Sequence, residues 1–191
     1  MSLLKIAQIG HPILRQTARA LTTDEIKSPG IQNFIDDMIE TMRDANGAGL
    51  AANQVYNPIQ ICVLEVENNP RYPYKPRIPL EVLINPIITV LSDEQFENFE
   101  GCLSVPNIRG RVRRKAEIQM DYIDREGTLH QKIVRGITAG TYQHEVDHLH
   151  GKVFLDHIFD STSLCTWQEF ERHYREDFVK EAEAVVEKYG S

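Results

Sequence analysis

Apolar side chains recur at helical spacing early in the chain. Ile31, Phe34, Ile35, Met38, Ile39 and Met42 follow one another at intervals that place them on a single helix face. Ser28 and Pro29 supply an N-cap and a first helical residue, and Asn46-Gly47 stops the pattern. The period then shortens. Ile59 to Val66 is rich in β-branched residues and bounded by Asn57-Pro58 and Asn68-Asn69-Pro70, so it predicts a strand, with Cys62 in it as a small buried hydrophobe. Residues 69 to 79 hold four of the nine prolines and predict a surface excursion. Leu80 to Leu91 resumes a strand pattern, broken at Asn85-Pro86. Glu117 to Ile123 and Thr128 to Val134 flank Arg125-Glu126-Gly127 as an antiparallel hairpin. From Ile137 to His150 the helical period returns and Gly151 ends it. A long last helix is expected from near Ser163 to Tyr189, striped by Trp167, Phe170, Tyr174, Phe178, Ala182, Val185 and Tyr189. Strands in the middle with helices near both ends predict an α+β fold.

Composition narrows the function classes. A chain of 191 residues with 41% hydrophobic content can bury one core, and neither a repeat nor a Pro/Gly/Ser-rich linker divides it, so one domain over 1–191 is expected. The formal net charge of -7 has the wrong sign for binding DNA through the whole surface. Cys62, Cys102 and Cys165 are odd in number and contain no C-x-x-C pair, which argues against a disulfide framework and for a reducing compartment. Neither a membrane-spanning apolar run nor a secretory h-region is visible, so a cytoplasmic location is expected, with an organelle's mature form equally compatible.

The sharpest chemical signal is Gln143-His144-Glu145-Val146-Asp147-His148 inside the second predicted helix. Positions four apart share a helix face, so His144 and His148 can bind one cation while Glu145, about 100° around, can touch a water without ligating. Two histidines are too few for a catalytic metal site, and the third ligand decides the class. Phe154 stands where a metzincin needs histidine, which excludes that group. A peptidase of the thermolysin kind would use a glutamate from the following helix, Glu169 or Glu171. The better candidate is Cys102, a soft ligand placed between Gly101 and a Leu-Ser-Val-Pro turn instead of within an apolar run. A third segment, Gly47-Ala48-Gly49-Leu50-Ala51-Ala52-Asn53-Gln54, is nearly free of side-chain bulk, as a backbone approached closely by a ligand must be, and Gln54 ends it with an amide donor.

Together the three segments resemble the peptide deformylases. The motifs G-x-G-L-A-A-x-Q, E-G-C-L-S and Q-H-E-x-D-H occur in that order, at Gly47 to Gln54, Glu100 to Ser104 and Gln143 to His148. Gly10-His11-Pro12 and Gly151-Lys152-Val153-Phe154 extend the likeness over about residues 5 to 160. The resemblance implies mixed, mainly antiparallel sheets packed around a central helix carrying H-E-x-x-H, with an N-terminal helix and a long C-terminal helix. It implies removal of formyl from the N-terminal formylmethionine of newly made polypeptides, the alternative being an H-E-x-x-H metallopeptidase that cuts internal peptide bonds. Cys102, His144 and His148 would hold one divalent metal, natively Fe2+, with Zn2+, Ni2+ or Co2+ as substitutes. Glu145 would move the proton, and the Gln54 amide and Leu103 backbone N–H would stabilise the oxyanion. Glu100 and Asp147 would orient the ligands from behind. Ala48, Gly49, Leu103, Gly140, Thr141 and His144 would line the methionine pocket.

Two departures from the family pattern stand out. The proline-rich insertion is long, and the last helix carries Arg172, Arg175, Lys180 and Lys188 against seven acids, so it is ill suited to docking on ribosomal RNA even if the enzyme works close to the ribosome. The basic run Arg109, Arg111, Arg113, Arg114 and Lys115 reads as an extended strand, either a solvated face or one from which Arg109 grips the substrate. Oligomeric state is not fixed by the sequence.

Overall fold

A computed structural model describes residues 2–191 apart from Asn68 and Pro70, so those two members of the Asn68-Asn69-Pro70 boundary lie outside the described residues. The first long helix forms where its caps place it. After a single turn, α1 (Thr23–Ile26), the Ser28 hydroxyl accepts from Ile31 N at 3.4 Å and α2 runs Pro29–Asp44, burying Ile35, Met38, Ile39 and Met42.

Five strands make one antiparallel sheet in the order β1-β2-β3-β6-β7: β1 Gly49–Ala51, β2 Ile61–Val66, β3 Ile78–Val90, β6 Glu117–Ile123 and β7 Leu129–Arg135. Three more, β4 Gln95–Cys102, β5 Val105–Lys115 and β8 Cys165–Thr166, form a second antiparallel sheet. Strand β2 explains the layering. Ile61 and Val63 pack toward α2, whereas Cys62 and Leu64 pack toward α3 (Gly136–Leu149), so both faces of the strand are covered and its sequence reads as an unbroken apolar run. Each fully buried Ile, Val or Leu of this kind stabilises the fold by about 1.5–3 kcal/mol.

Helix α3 lies between the sheets, touching β1, β2, β3 and β7 of the first and β4 and β5 of the second. It is buried nearly all round, and small residues make that possible: Ala139 faces the first sheet's core, and Gly140 passes so near the Phe96 ring that a Cβ there would stand 3.1 Å from Cζ. The Gln143 side chain clamps the helix to β5, accepting from Lys115 N at 3.0 Å and donating to Lys115 O at 2.9 Å. The architecture is the expected α+β arrangement around the helix that carries the H-E-x-x-H residues.

Two elements differ in detail from the sequence expectation. Strand β3 continues through Asn85-Pro86 instead of breaking. Asn85 takes φ 51° in a bulge where the pairing with β6 shifts between Ile84 and Ile87, and its side-chain amide bonds both backbone groups of Leu21. The C-terminal helix is interrupted at Tyr174 into α4 (Trp167–His173) and α5 (Arg175–Tyr189). Phe170 and Phe178 would be about 12 Å apart along a straight helix. The break brings their rings to 5.8 Å and lets both seat on Phe99 of β4. The acidic face of α5 is partly used, since Glu181 pairs with both terminal nitrogens of Arg111 at 2.8 and 2.9 Å.

Candidate active site and metal centre

Cys102 ends β4, where the pairing with β5 shifts from Gly101↔Arg109 to Cys102↔Val105 and turns the thiol inward. One helical turn separates His144 and His148 on α3, and the three donor atoms Cys102 Sγ and one ring nitrogen of each histidine lie within 4.8 Å of one another. Among the described residues this is the only such group of three. Of the peptidase alternative's two candidate ligands, Glu169 pairs instead with Arg172 and His173, and Glu171 with Arg175.

Two of the three ligands, His144 and Cys102, are held from behind, while His148 Nδ1 is buried without a partner. His144 Nδ1 faces Glu100 Oε2 at 2.8 Å, which turns Nε2 toward the other donors. Glu100 in turn receives two bonds of 2.8 Å from Arg114, whose third nitrogen reaches Asp147, so Glu100 and Asp147 join one buried network. Burial opposes the charge on Glu100, yet Arg114 and His144 hold its carboxyl well below the usual range. The Cys102 thiol is likewise buried, but His148 and His144 outweigh that and bring it to about 5. Its sulfur accepts from Ser104 N and lies 3.4 Å from Gln54 Nε2.

Glu145 stands beside this group without joining it. Its Oε2 is buried with no hydrogen-bond partner, and burial raises its carboxyl above the usual value. A thiolate, two imidazoles and an idle carboxylate oxygen beside them suit a divalent transition ion with an open position. The Gly/Ala loop explains itself here: strand β1 runs so close that a Cβ on Gly49 would sit 2.6 Å from Glu145 Cγ. Gly49→Ala is therefore expected to push the carboxylate aside and to cost roughly 10²-fold in turnover with metal retained. Metal analysis beside a rate measurement checks it, and an unimpaired rate would show that the approach has no function. Gln54 follows β1 in a short helical turn. Its Oε1 accepts from Ala51 N at 2.9 Å and its Nε2 donates to Ser104 Oγ at 3.1 Å, which fixes the amide with its N–H side toward Cys102.

A cleft with about 500 Å³ of empty space, open to solvent, runs over these groups. Ala48, Gly49, Gln54, Cys102, Leu103, Arg109, Gly140, Thr141, His144 and Glu145 all line it, and His148 lies beneath, 1% exposed. The basic run is not a uniform solvated face. Arg109 is 1% exposed, stacked on Trp167 and Phe170, while Arg113 is open to solvent and Arg114, on the opposite face, is buried in the network above.

Sequence reasoning missed the proline-rich excursion's part in the cleft. Asn69 donates to the carbonyls of Asn46 and Gly47, Arg71 lies over the Trp167 ring, and Tyr74 packs on Phe178, so the excursion is laid down across the site. Tyr72 and Lys75 thereby become lining residues. The signal was the alternation of aromatic and basic side chains among the prolines, unusual for a solvated loop.

A family model described as Polypeptide deformylase matches residues 3–163. The chain belongs to that family. It is 41% identical over 170 residues to a peptide deformylase of Leptospira biflexa, 88% of this chain and 94% of the relative, and 40% identical to peptide deformylase 2 of a Nostoc species over 88% and 93%. A Met-Ala-Ser-bound class I type b peptide deformylase of Acinetobacter baumannii matches with TM-score 0.79 and 36% identity, covering 82% of this chain and 99% of the other. An actinonin complex from Synechococcus elongatus covers 98% of this chain and 86% of its own at TM-score 0.74 and 29% identity. Family membership makes the chain a formyl-removing metallohydrolase and sets the peptidase reading aside.

Proposed function

We propose that Cys102, His144 and His148 hold one divalent ion, natively Fe2+, and that the cleft deformylates the N-terminal formylmethionine of newly synthesised polypeptides in the cytoplasm. The reading is carried by one observation, three converging donor atoms with the unpartnered Glu145 Oε2 next to them. When bound, such an ion polarises the formyl carbonyl and eases ionisation of the attacking water. Glu145 takes the water's proton and delivers it to the departing amine, which leaves as the new amino terminus while the formyl carbon departs as formate. The Gln54 Nε2 and the Leu103 backbone N–H donate to the oxyanion, Gln54 being preset for this by its bond to Ala51. Gly49 keeps the formyl slot narrow, so that a hydrogen fits where the methyl of an acetyl group would clash. Ala48, Gly140 and Thr141 take the first side chain, and Arg109 steadies the peptide. Met-Ala-Ser, bound in the Acinetobacter relative, has the form of such a product. The sheets, α3 and the C-terminal helices share contacts throughout and support one catalytic unit over 1–191.

The deciding measurement is formate release from formyl-Met-Ala-Ser by protein prepared without oxygen in Fe2+, set beside Zn2+ and Ni2+ forms. The Fe2+ form is expected to be far more active than the Zn2+ form and to decay in air, with Ni2+ active and stable. Equal Zn2+ and Fe2+ rates would overturn the iron assignment, and no formate from any form would overturn the activity.

A further inference from the structure

Lys75 brings a cation into the side-chain end of the cleft, where a methionine offers nothing to pair with it. Its Nζ donates to Thr141 Oγ1 at 3.0 Å and lies 4.8 Å from the centre of the Tyr72 ring. Thr141 is four residues before Glu145 on α3, so the residue that holds the ammonium lies one helical turn from the reacting end of the site. Among the described residues no carboxylate lies within ion-pair distance of it: Glu100 is taken by Arg114 and His144, and Glu145 makes no bond to it. Burial lowers the amine to about 8, which leaves it protonated at neutral pH.

The surroundings of Lys75 add to this charge. Arg109 lines the same cleft and keeps Nε and Nη1 buried without partners. Thr141 and Asn98 contribute polar groups to the lining. A pocket made for an apolar side chain is lined mainly by apolar groups with a few placed polar ones. Here an unpaired ammonium closes one end, and a thioether is too weak an acceptor to satisfy it.

We propose that Lys75 is a specificity-determining residue that lets this pocket take an acidic first side chain of methionine's length, glutamate in class, as well as methionine. The proposal rests on the reading of this cleft as the formyl-peptide site. A glutamate side chain and a methionine side chain reach about equally far, so a carboxylate entering beside Thr141 meets the ammonium and gives it the charge-assisted pair that Thr141 alone does not supply. Sites that hydrogen-bond a substrate group discriminate strongly against substrates lacking the matching partner.

The test compares kcat/KM for formyl-Glu-Ala-Ser, formyl-Gln-Ala-Ser and formyl-Met-Ala-Ser in the metal-loaded enzyme. The acidic peptide is expected to run within about tenfold of the methionine peptide and at least about tenfold faster than its neutral isostere. In Lys75→Met, with fold checked by circular dichroism and metal content by analysis, the acidic peptide should lose about 10²-fold, mainly through KM. The ratio of the acidic to the methionine peptide should therefore fall by at least about tenfold, and Lys75→Arg should keep the wild-type ratio. Equal rates for the glutamate and glutamine peptides in the wild-type protein overturn the proposal without any substitution. So does an unchanged Glu-to-Met ratio in Lys75→Met, or a proportional rise for both peptides, which would mark Lys75 as a plug. Absence of formate from formyl-Met-Ala-Ser would overturn the underlying activity itself.

Discussion

Glu145→Gln is expected to lower formate release by about 10² to 10⁴-fold while the protein keeps its metal. Glutamine preserves the shape and the polar end of the side chain, so the backbone approach of Gly49 and the packing of α3 need not change. It removes only the ability to accept and return a proton. Glu145 lies outside the three-donor group, so the substitution leaves every proposed ligand in place. The pH dependence carries a second signature. Burial raises the carboxyl above its ordinary value, so the base form is gained only as pH climbs through that raised value, and the acid limb of wild-type kcat/KM should lie above that of an ordinary glutamate. In the variant that limb should vanish along with most of the rate. Loss of metal in parallel with activity would instead make Glu145 a ligand, and an unchanged rate would give the proton to another group.

Much of this site was legible because its chemistry is local in sequence. The spacing of His144, Glu145 and His148 is a helix-face statement, and α3 forms where that spacing requires. The Ser28-Pro29 start and the β6–β7 hairpin were equally local, each set by capping or turn residues next to the element they define. What stayed hidden depends on residues far apart. Strand β4 carries Phe, Asn and Glu in place of a plain apolar alternation, since its inward side chains serve the aromatic cluster around Phe99 and the ionic network around Glu100. The basic run of β5 did read as extended, and only its facing was hidden. No window of sequence shows that Arg113 faces solvent and Arg114 the interior, because that follows from pairing across the sheet. The break at Tyr174 has the same origin: the helical period continues through it, and only the need to place Phe170 and Phe178 on one ring interrupts the helix. Lys75 was missed because an excursion rich in proline reads as surface unless one knows what lies beneath it.

Arg114→Met is expected to destabilise the metal-saturated protein by about 3–5 kcal/mol near neutral pH. The side chain is 3% exposed and its nitrogens serve Glu100, at 2.8 Å twice, and Asp147. Methionine fills similar space but leaves the Glu100 carboxylate, itself 6% exposed, facing only His144 for charge compensation. The damage should reach the site as well, since Glu100 is what orients the His144 ring, so metal affinity should fall about 10- to 100-fold. The pH dependence follows from linkage. Glu100 and Asp147 have depressed values in the folded protein, so their contribution is complete above the ordinary carboxylate values of 4.5 and 3.8 and is lost as pH falls through the depressed ones. In the variant the unpaired Glu100 can relieve its buried charge by protonation. The stability gap between wild type and variant should therefore be widest near neutrality and close as the solution is made acid. Adding Glu100→Gln to the variant should recover part of the loss at neutral pH, because it removes the stranded charge without restoring any ion pair. Urea unfolding at a series of pH values, read for midpoint and slope, measures each of these. A loss below about 1 kcal/mol near neutrality, or a gap that widens in acid, would mean that Arg114 is not what makes the buried Glu100 tolerable.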